Sequence, residues 1–277
     1  MIYFKSKEEI RVMRAGGKIL AGILKSLIEE VKPGLGTAEL EAKAARLMAE
    51  AGGRPAFKDY DMGGGIFFPS ILCISINDEV VHGAALPSRI LNSGDIVDID
   101  LGMEWPADDK LRLKLGAPRN PHSPLGGYFT DMCATVAVGK ISREAKKLIK
   151  VTHDCLWLGI EQAKAGNTLN DIGRAVQTLA ESHGYGVVRD LVGHGVGHYA
   201  HEEPNVCNYV IPNNSRDNLV LQPGMVLAIE PMINLGSSRI KIAPNRFTII
   251  SADKSLSAHF EHTVAITDAG PEIITAL

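Results

Sequence analysis

Apolar residues recur every three or four positions from Ile10 through Met13, Gly17, Leu20, Leu24 and Leu27 to Val31, the spacing of one helical face. Ser6 followed by Glu9 predicts the start of this helix as a capping box, and Lys32-Pro33-Gly34 predicts its end. Thr37 is expected to cap a second, Ala-rich helix running to Gly52-Gly53. The period then changes: residues 71–81, 95–102 and 133–138 are rich in Val and Ile and bounded by Gly and Asn, which predicts strands. Beyond Gly139 the plan restarts, with a helix from Ser142 to Lys164 and a break at Ala165-Gly166-Asn167. Thr168 then caps a helix to Gly184, with Asp171 three residues after the cap. Strand-like segments follow again.

The two caps, Thr37 and Thr168, are offset by 131 residues, and the strand starts at Gly94-Asp95-Ile96-Val97 and Gly224-Met225-Val226-Leu227 by 130. One such match is within chance, whereas helix, break, capped helix and strands in the same order predict a duplication. The expectation is one domain over 1–277, built from pseudo-symmetric halves 1–139 and 140–277. Residues 104–127 interrupt the pattern with Asp108-Asp109, four Lys/Arg, four prolines and Gly126-Gly127, and are expected to be a polar, structure-poor excursion from a hairpin.

Composition narrows the function classes. With 277 residues, 45% apolar and 22% charged, the chain has material for a large hydrophobic core. A net charge of -3 gives no basic footprint for nucleic acid. No run of apolar residues is long enough to span a bilayer. The four cysteines (Cys73, Cys133, Cys155, Cys207) are scattered, form no C-x-x-C pair and follow no secretory leader, so a reduced cytoplasm is expected.

The chemistry is carried by acids inside apolar strands. Asp100 lies six residues after Gly94 in GDIVDID, and Glu230 six after Gly224 in GMVLAIE. A carboxylate in a buried strand is unfavourable unless paired or bound to a cation. Asp131 lies 31 residues beyond Asp100, and Glu261 lies 31 beyond Glu230, so each half supplies two acids. Four converging carboxylates would repel, and a pair of divalent cations relieves that repulsion. His194, between Gly193 and Gly195, completes an oxygen-rich set with one imidazole, suited to Mn²⁺, Fe²⁺, Co²⁺ or Zn²⁺. His82 in NDEVVHG and His201 in HEEP are candidates to orient a substrate. His194 and His201 are seven apart, so an unbroken strand would put them on opposite faces, and a bend near Tyr199-Ala200 is required if they share a site.

Each residue alone has a plainer reading. Asp100 would serve as a salt-bridge acid, with Asp98 on the same side at period two. His82 would serve as a hydrogen-bonded structural histidine, GHGVG as a tight turn, Glu202-Glu203-Pro204 as a solvated turn, and Cys73 as core filler. His198 is expected to sit behind the site or in solvent. The joint arrangement, repeated in both halves, favours the ligand reading.

Together the motifs KSKEEIRVMRAGGKIL, CISINDEVVHG, GDIVDIDLG, GHGVG with HEEP, LQPGMVLAIEPM and SLSAHFEHTVAIT resemble the type I methionine aminopeptidases of the pita-bread metallopeptidase family, over nearly the whole chain. The resemblance implies an α+β fold with a curved antiparallel sheet flanked by two helix pairs and a dinuclear metal site in its concavity. It implies ligands at Asp100, Asp131, His194, Glu230 and Glu261, with Asp131 and Glu261 bridging. It also implies a catalytic pair His82 and His201, Glu230 as proton acceptor, and a side-chain pocket with Cys73 and Phe247. The implied substrates are peptide or nascent-chain N-termini, with a monomer expected; the insert's composition leaves ribosome contact, covering of the pocket and stabilisation of the fold all open. The chain departs from the family pattern in three places: the 104–127 insert, a longer Phe57–Cys73 segment containing Gly63-Gly64-Gly65, and Ala200 and Phe247 near the pocket. The rival readings are a proline-directed exopeptidase, which generally carries a further N-terminal domain, and a catalytically silent peptide-binding module, which tends to lose ligands.

Overall fold

The computed structural model describes residues 2–277. Helix α1 spans Lys7–Ile28, and its capping box is formed: Glu9 N–H donates to Ser6 Oγ at 3.3 Å and Ser6 N–H to Glu9 Oε2 at 2.7 Å. Helix α2 spans Thr37–Glu50, but Gly36, not Thr37, is its N-cap, with Glu39 Oε1 accepting the Gly36 N–H at 2.9 Å. The Thr37 hydroxyl is drawn away instead, donating to Ala85 O and accepting the Arg89 N–H, which ties the helix to the 85–89 loop. A short helix α3, Asp109–Lys114, lies between two strands. Helices α4 (Arg143–Gln162) and α5 (Leu169–Ser182) start at the Ser142 and Thr168 caps, and Asp171 accepts the Thr168 N–H at 2.7 Å.

Among the described residues the main sheet has eleven strands, and its pairings are antiparallel. Its centre is a run of five neighbours in the order Ile96–Trp105, Tyr128–Ala137, Ser257–Thr267, Val226–Ile229 and Gly193–Gly195. The first two pair over their full ten residues, from Ile96↔Ala137 to Trp105↔Tyr128. Residues 104 and 105 therefore belong to the ladder, and the insert begins at Pro106. It is not structureless, because Asp108 caps α3 by accepting the Leu111 N–H at 2.8 Å.

Strand alternation separates core from site. Ile99, Leu101 and Met103 join Leu20, Leu24 and Leu40 in a core under α1 and α2, while Asp98 and Asp100 face the other way. Phe260, Val264 and Ile266 pack with Leu156, Ile160 and Ile172 of α4 and α5, while His259, Glu261 and Thr263 face the other way. Each helix pair thus has its own core on the shared sheet. Among the described residues no helix is long and apolar enough to cross a membrane.

Glu202 is buried, not part of a solvated turn. Its carboxylate accepts the buried Lys5 ammonium and the N–H groups of His198 and Tyr199. This pins the segment between His194 and His201. His198 is also buried, its Nε2 2.8 Å from Glu9 Oε1. Replacing Lys5 by Met leaves the Glu202 charge buried without its counter-ion, so Lys5→Met is expected to cost roughly 3–5 kcal/mol of stability. Urea unfolding checks this; a midpoint within error of the parent would contradict it.

Candidate metal centre

The five central strands each deliver one polar side chain to the same concavity. In sheet order these are Asp100, Asp131, Glu261, Glu230 at the end of Val226–Ile229, and His194. Asp131 and His194 stand three strand spacings apart, about 14 Å on a flat sheet. Yet His194 Nε2 lies 3.5 Å from Asp131 Oδ2 and 3.4 Å from Glu230 Oε1. The reach of the two side chains and the curl of the sheet together close that gap. Asp131, His194 and Glu261 each present a donor atom within 4.8 Å of the others. Close approach around His194 needs its glycines: a Cβ on Gly193 would sit 2.3 Å from Ala228 O, and one on Gly195 would sit 2.4 Å from Glu203 O.

A cavity of about 230 Å³ opens over this cluster. Its polar lining comprises the four acids with His82, His194, His201 and His259, and no Lys or Arg. The bend required after His194 is present: the chain turns between Val196 and Ala200, and the His194 and His201 rings lie 4.4 Å apart. Burial drives His201 down to about 3, helped by His194 and His82, and His82 down to about 4. Both are therefore neutral imidazoles at neutral pH. The His82 backbone is left-handed, with φ 59°, and its carbonyl accepts the Thr248 hydroxyl at 3.0 Å. The apolar wall includes Phe57, Phe68, Cys73, Leu191 and Met232. Phe247 does not line the cavity; it packs edge-on behind Phe68, with ring centroids 5.7 Å apart.

The acids fit a divalent cation. Burial, reinforced by Asp98, Asp131 and Glu230, pushes the Asp100 carboxyl well above its ordinary range, and burial with Asp131, Glu230 and Asp100 does the same to Glu261. Burial also raises Asp131, against the opposing pull of His194. Asp100 Oδ1 is buried with no hydrogen-bond partner. A buried oxygen without a hydrogen-bond partner among three other acids has the chemistry of a cation ligand.

The sequence profile of Metallopeptidase family M24 matches residues 11–108 and 123–268. The chain belongs to the M24 metallopeptidases. A methionine aminopeptidase of Clostridium acetobutylicum is 43% identical over 275 residues, covering 99% of both chains. The solved methionine aminopeptidase of Thermotoga maritima matches with a TM-score of 0.87 at 34% identity, covering all of both chains. A prolidase of Pyrococcus horikoshii shares the fold with a TM-score of 0.71 at 24% identity, but this chain covers 63% of it. The fold is thus the pita-bread fold of the M24 enzymes, and membership of a metallopeptidase family implies divalent metal at the donor cluster. The break in the M24 match falls within the insert.

Two polar partners behind this M24 centre escaped the sequence reading. His259 Nδ1 lies 3.3 Å from Asp98 Oδ2 and its Nε2 3.5 Å from Glu230 Oε2, linking Glu230 to a further buried acid. The Thr263 hydroxyl donates to Asp131 and accepts the Asp131 N–H at 3.1 Å. Period two was the available signal, since His259 and Thr263 flank Glu261 on one strand face.

Metal removal should reveal the raised carboxyls. Above the ordinary carboxylate range, the metal-free fold binds more protons than the unfolded chain, so it loses stability as pH rises toward the raised values. Burial opposes the charge on His259, but Asp98 and Glu230 hold it up at about 10, so its contribution also fades with rising pH. His82 and His201 titrate below 6.5 and drop out above it. Chelation is therefore expected to lower the melting temperature more at pH 8 than at pH 6.5. Calorimetry with and without EDTA checks this; a gap that shrinks with pH would contradict it.

Proposed function

We propose that the chain is a methionine aminopeptidase that removes the initiator methionine from peptide and nascent-chain N-termini, acting as one catalytic unit of two pseudo-repeat halves. The observation that carries this reading is the placement of two neutral histidines, His82 and His201, beside four buried acids in a cavity whose other wall is apolar. Full-length similarity to methionine aminopeptidases of Clostridium acetobutylicum and Thermotoga maritima supports the substrate. Four free cysteines accord with a cytoplasmic location. We assign no partner other than the substrate chain, beyond ribosome contact as one role of the insert, and read the enzyme as a monomer.

The residues that would hold two divalent ions are Asp100, Asp131, His194, Glu230 and Glu261. Bound there, Co, Mn, Fe or Zn would supply Lewis acidity toward a carbonyl and a water. Glu230 takes the proton of the attacking water on a carboxylate oxygen and hands it to the departing amine nitrogen. His201, uncharged, donates one ring N–H to the substrate carbonyl oxygen as negative charge grows there, without transferring the proton. His82 contacts the scissile nitrogen. Asp100 draws the free α-amine, so only chain ends are held correctly. The methionine thioether lies against the apolar wall with Cys73 and Phe68, and Phe247 supports Phe68 from behind.

His201→Ala is expected to keep fold and metal but lower turnover of Met-Gly-Met by on the order of 10² to 10³. Undiminished cleavage would contradict the donor role. Glu261→Ala is expected to hold fewer than two metals per chain by elemental analysis. Release of methionine from Met-Ala but not alanine from Ala-Pro tests the substrate class; the reverse preference would replace this reading with a proline-directed one.

A further inference from the structure

Beside the cavity over the acids lies a second one of about 410 Å³. Tyr60 and His201 line both, their rings edge-on with centroids 5.0 Å apart, so the two cavities meet at this pair. Among the residues lining the second cavity are Lys58, Asp59 and Asp61, from the segment after Phe57. With them stand His122 and Pro124, from the insert between Trp105 and Tyr128. The segment after Phe57 and the insert thus line a single space, and the M24 match lapses at part of its wall.

The insert wall is built into the fold at three points. Asn120 Nδ2 donates to Gly127 O at 2.7 Å and to His198 O at 2.9 Å. The His122 ring meets the Tyr199 hydroxyl at 3.1 Å and stacks among Tyr3, His198 and Tyr199. The buried Glu104 carboxylate accepts from the Ser123 hydroxyl and the Gly127 N–H and pairs with Arg54. That pairing neutralises Arg54. Among the described residues Lys58 has no ion-pair partner, so it and the acids Asp59 and Asp61 set the charge that an entering chain meets.

We propose that this second cavity binds the two or three residues that follow the scissile bond, and that the insert supplies its outer wall. The inference rests on the methionine aminopeptidase reading: with methionine against the apolar wall and its carbonyl at His201, the second cavity, which shares His201 and Tyr60 with the first, is the adjoining space for the chain beyond the scissile bond. An extended chain advances about 3.4 Å per residue, so two or three residues suffice to cross such a space. Lys58 then reads the side chains entering it.

The test uses the full-length protein supplied with Mn²⁺ and compares kcat/KM for Met-Ala, Met-Ala-Lys-Ser and Met-Ala-Glu-Ser. The parent is expected to favour the tetrapeptides over Met-Ala. His122→Ala is expected to reduce that tetrapeptide-to-dipeptide ratio by roughly three- to tenfold. Lys58→Glu is expected to move the Lys-to-Glu substrate ratio toward Lys by roughly three- to tenfold at low salt, with the shift shrinking at high salt. Lys58 is exposed, so its variant decides the matter if His122→Ala fails to fold. Substrate ratios unchanged by Lys58→Glu, with all three peptides cleaved, would overturn the downstream site while leaving the peptidase reading intact. A parent that releases methionine from none of the three would overturn the peptidase reading and this one with it.

Discussion

Four carboxylates buried in one concavity, with no lysine or arginine among them, are the constraint from which the rest of this structure follows. Desolvation and mutual repulsion make the ionised set untenable without bound positive charge. The fold supplies each acid from a different neighbouring strand, so the strands must curl to bring the acids together. Curling brings backbones close, which only Gly193 and Gly195 permit beside His194. The helices lie behind the same strands because alternate residues are apolar. The sheet is therefore both a wall for two hydrophobic cores and a cradle for charge.

Much of this was legible in the residues. The helix starts at Ser6, Ser142 and Thr168 are local capping chemistry, which sequence carries well. The paired spacing of the acids was visible because a duplication repeats itself in numbering. Less was visible where partners are remote. Thr37 looked like a cap, yet its hydroxyl is claimed by Ala85 and Arg89, some fifty residues away. Glu202 looked like a surface acid, and only the fold brings Lys5 to it. Phe247 stands behind the pocket wall, a difference of one packing layer that no periodicity encodes. Likewise, strand order, which sets Glu261 between Asp131 and Glu230, is a property of topology.

The polar groups around the acids extend the same logic outward. His259, against Asp98, stands 3.5 Å from Glu230, and Thr263 fixes Asp131. Glu202, gathering Lys5 with two backbone N–H groups, fixes the bend that returns His201 to the cavity. Asp131 and His194, each hydrogen-bonded to a second group, hold their places without relying on an ion alone.

The insert leaves and re-enters the sheet at adjoining partners, Trp105 and Tyr128, with the ladder unbroken beneath them. Changing the exposed part of that excursion leaves the strand register in place, because closure is secured by ten paired residues, provided Asn120 keeps its bond to His198 O and Ser123 its bond to Glu104. Selection is thereby free to remodel the rim of this enzyme while its chemistry stays put, and a protein engineer inherits the same freedom: the hairpin tip is a natural graft point.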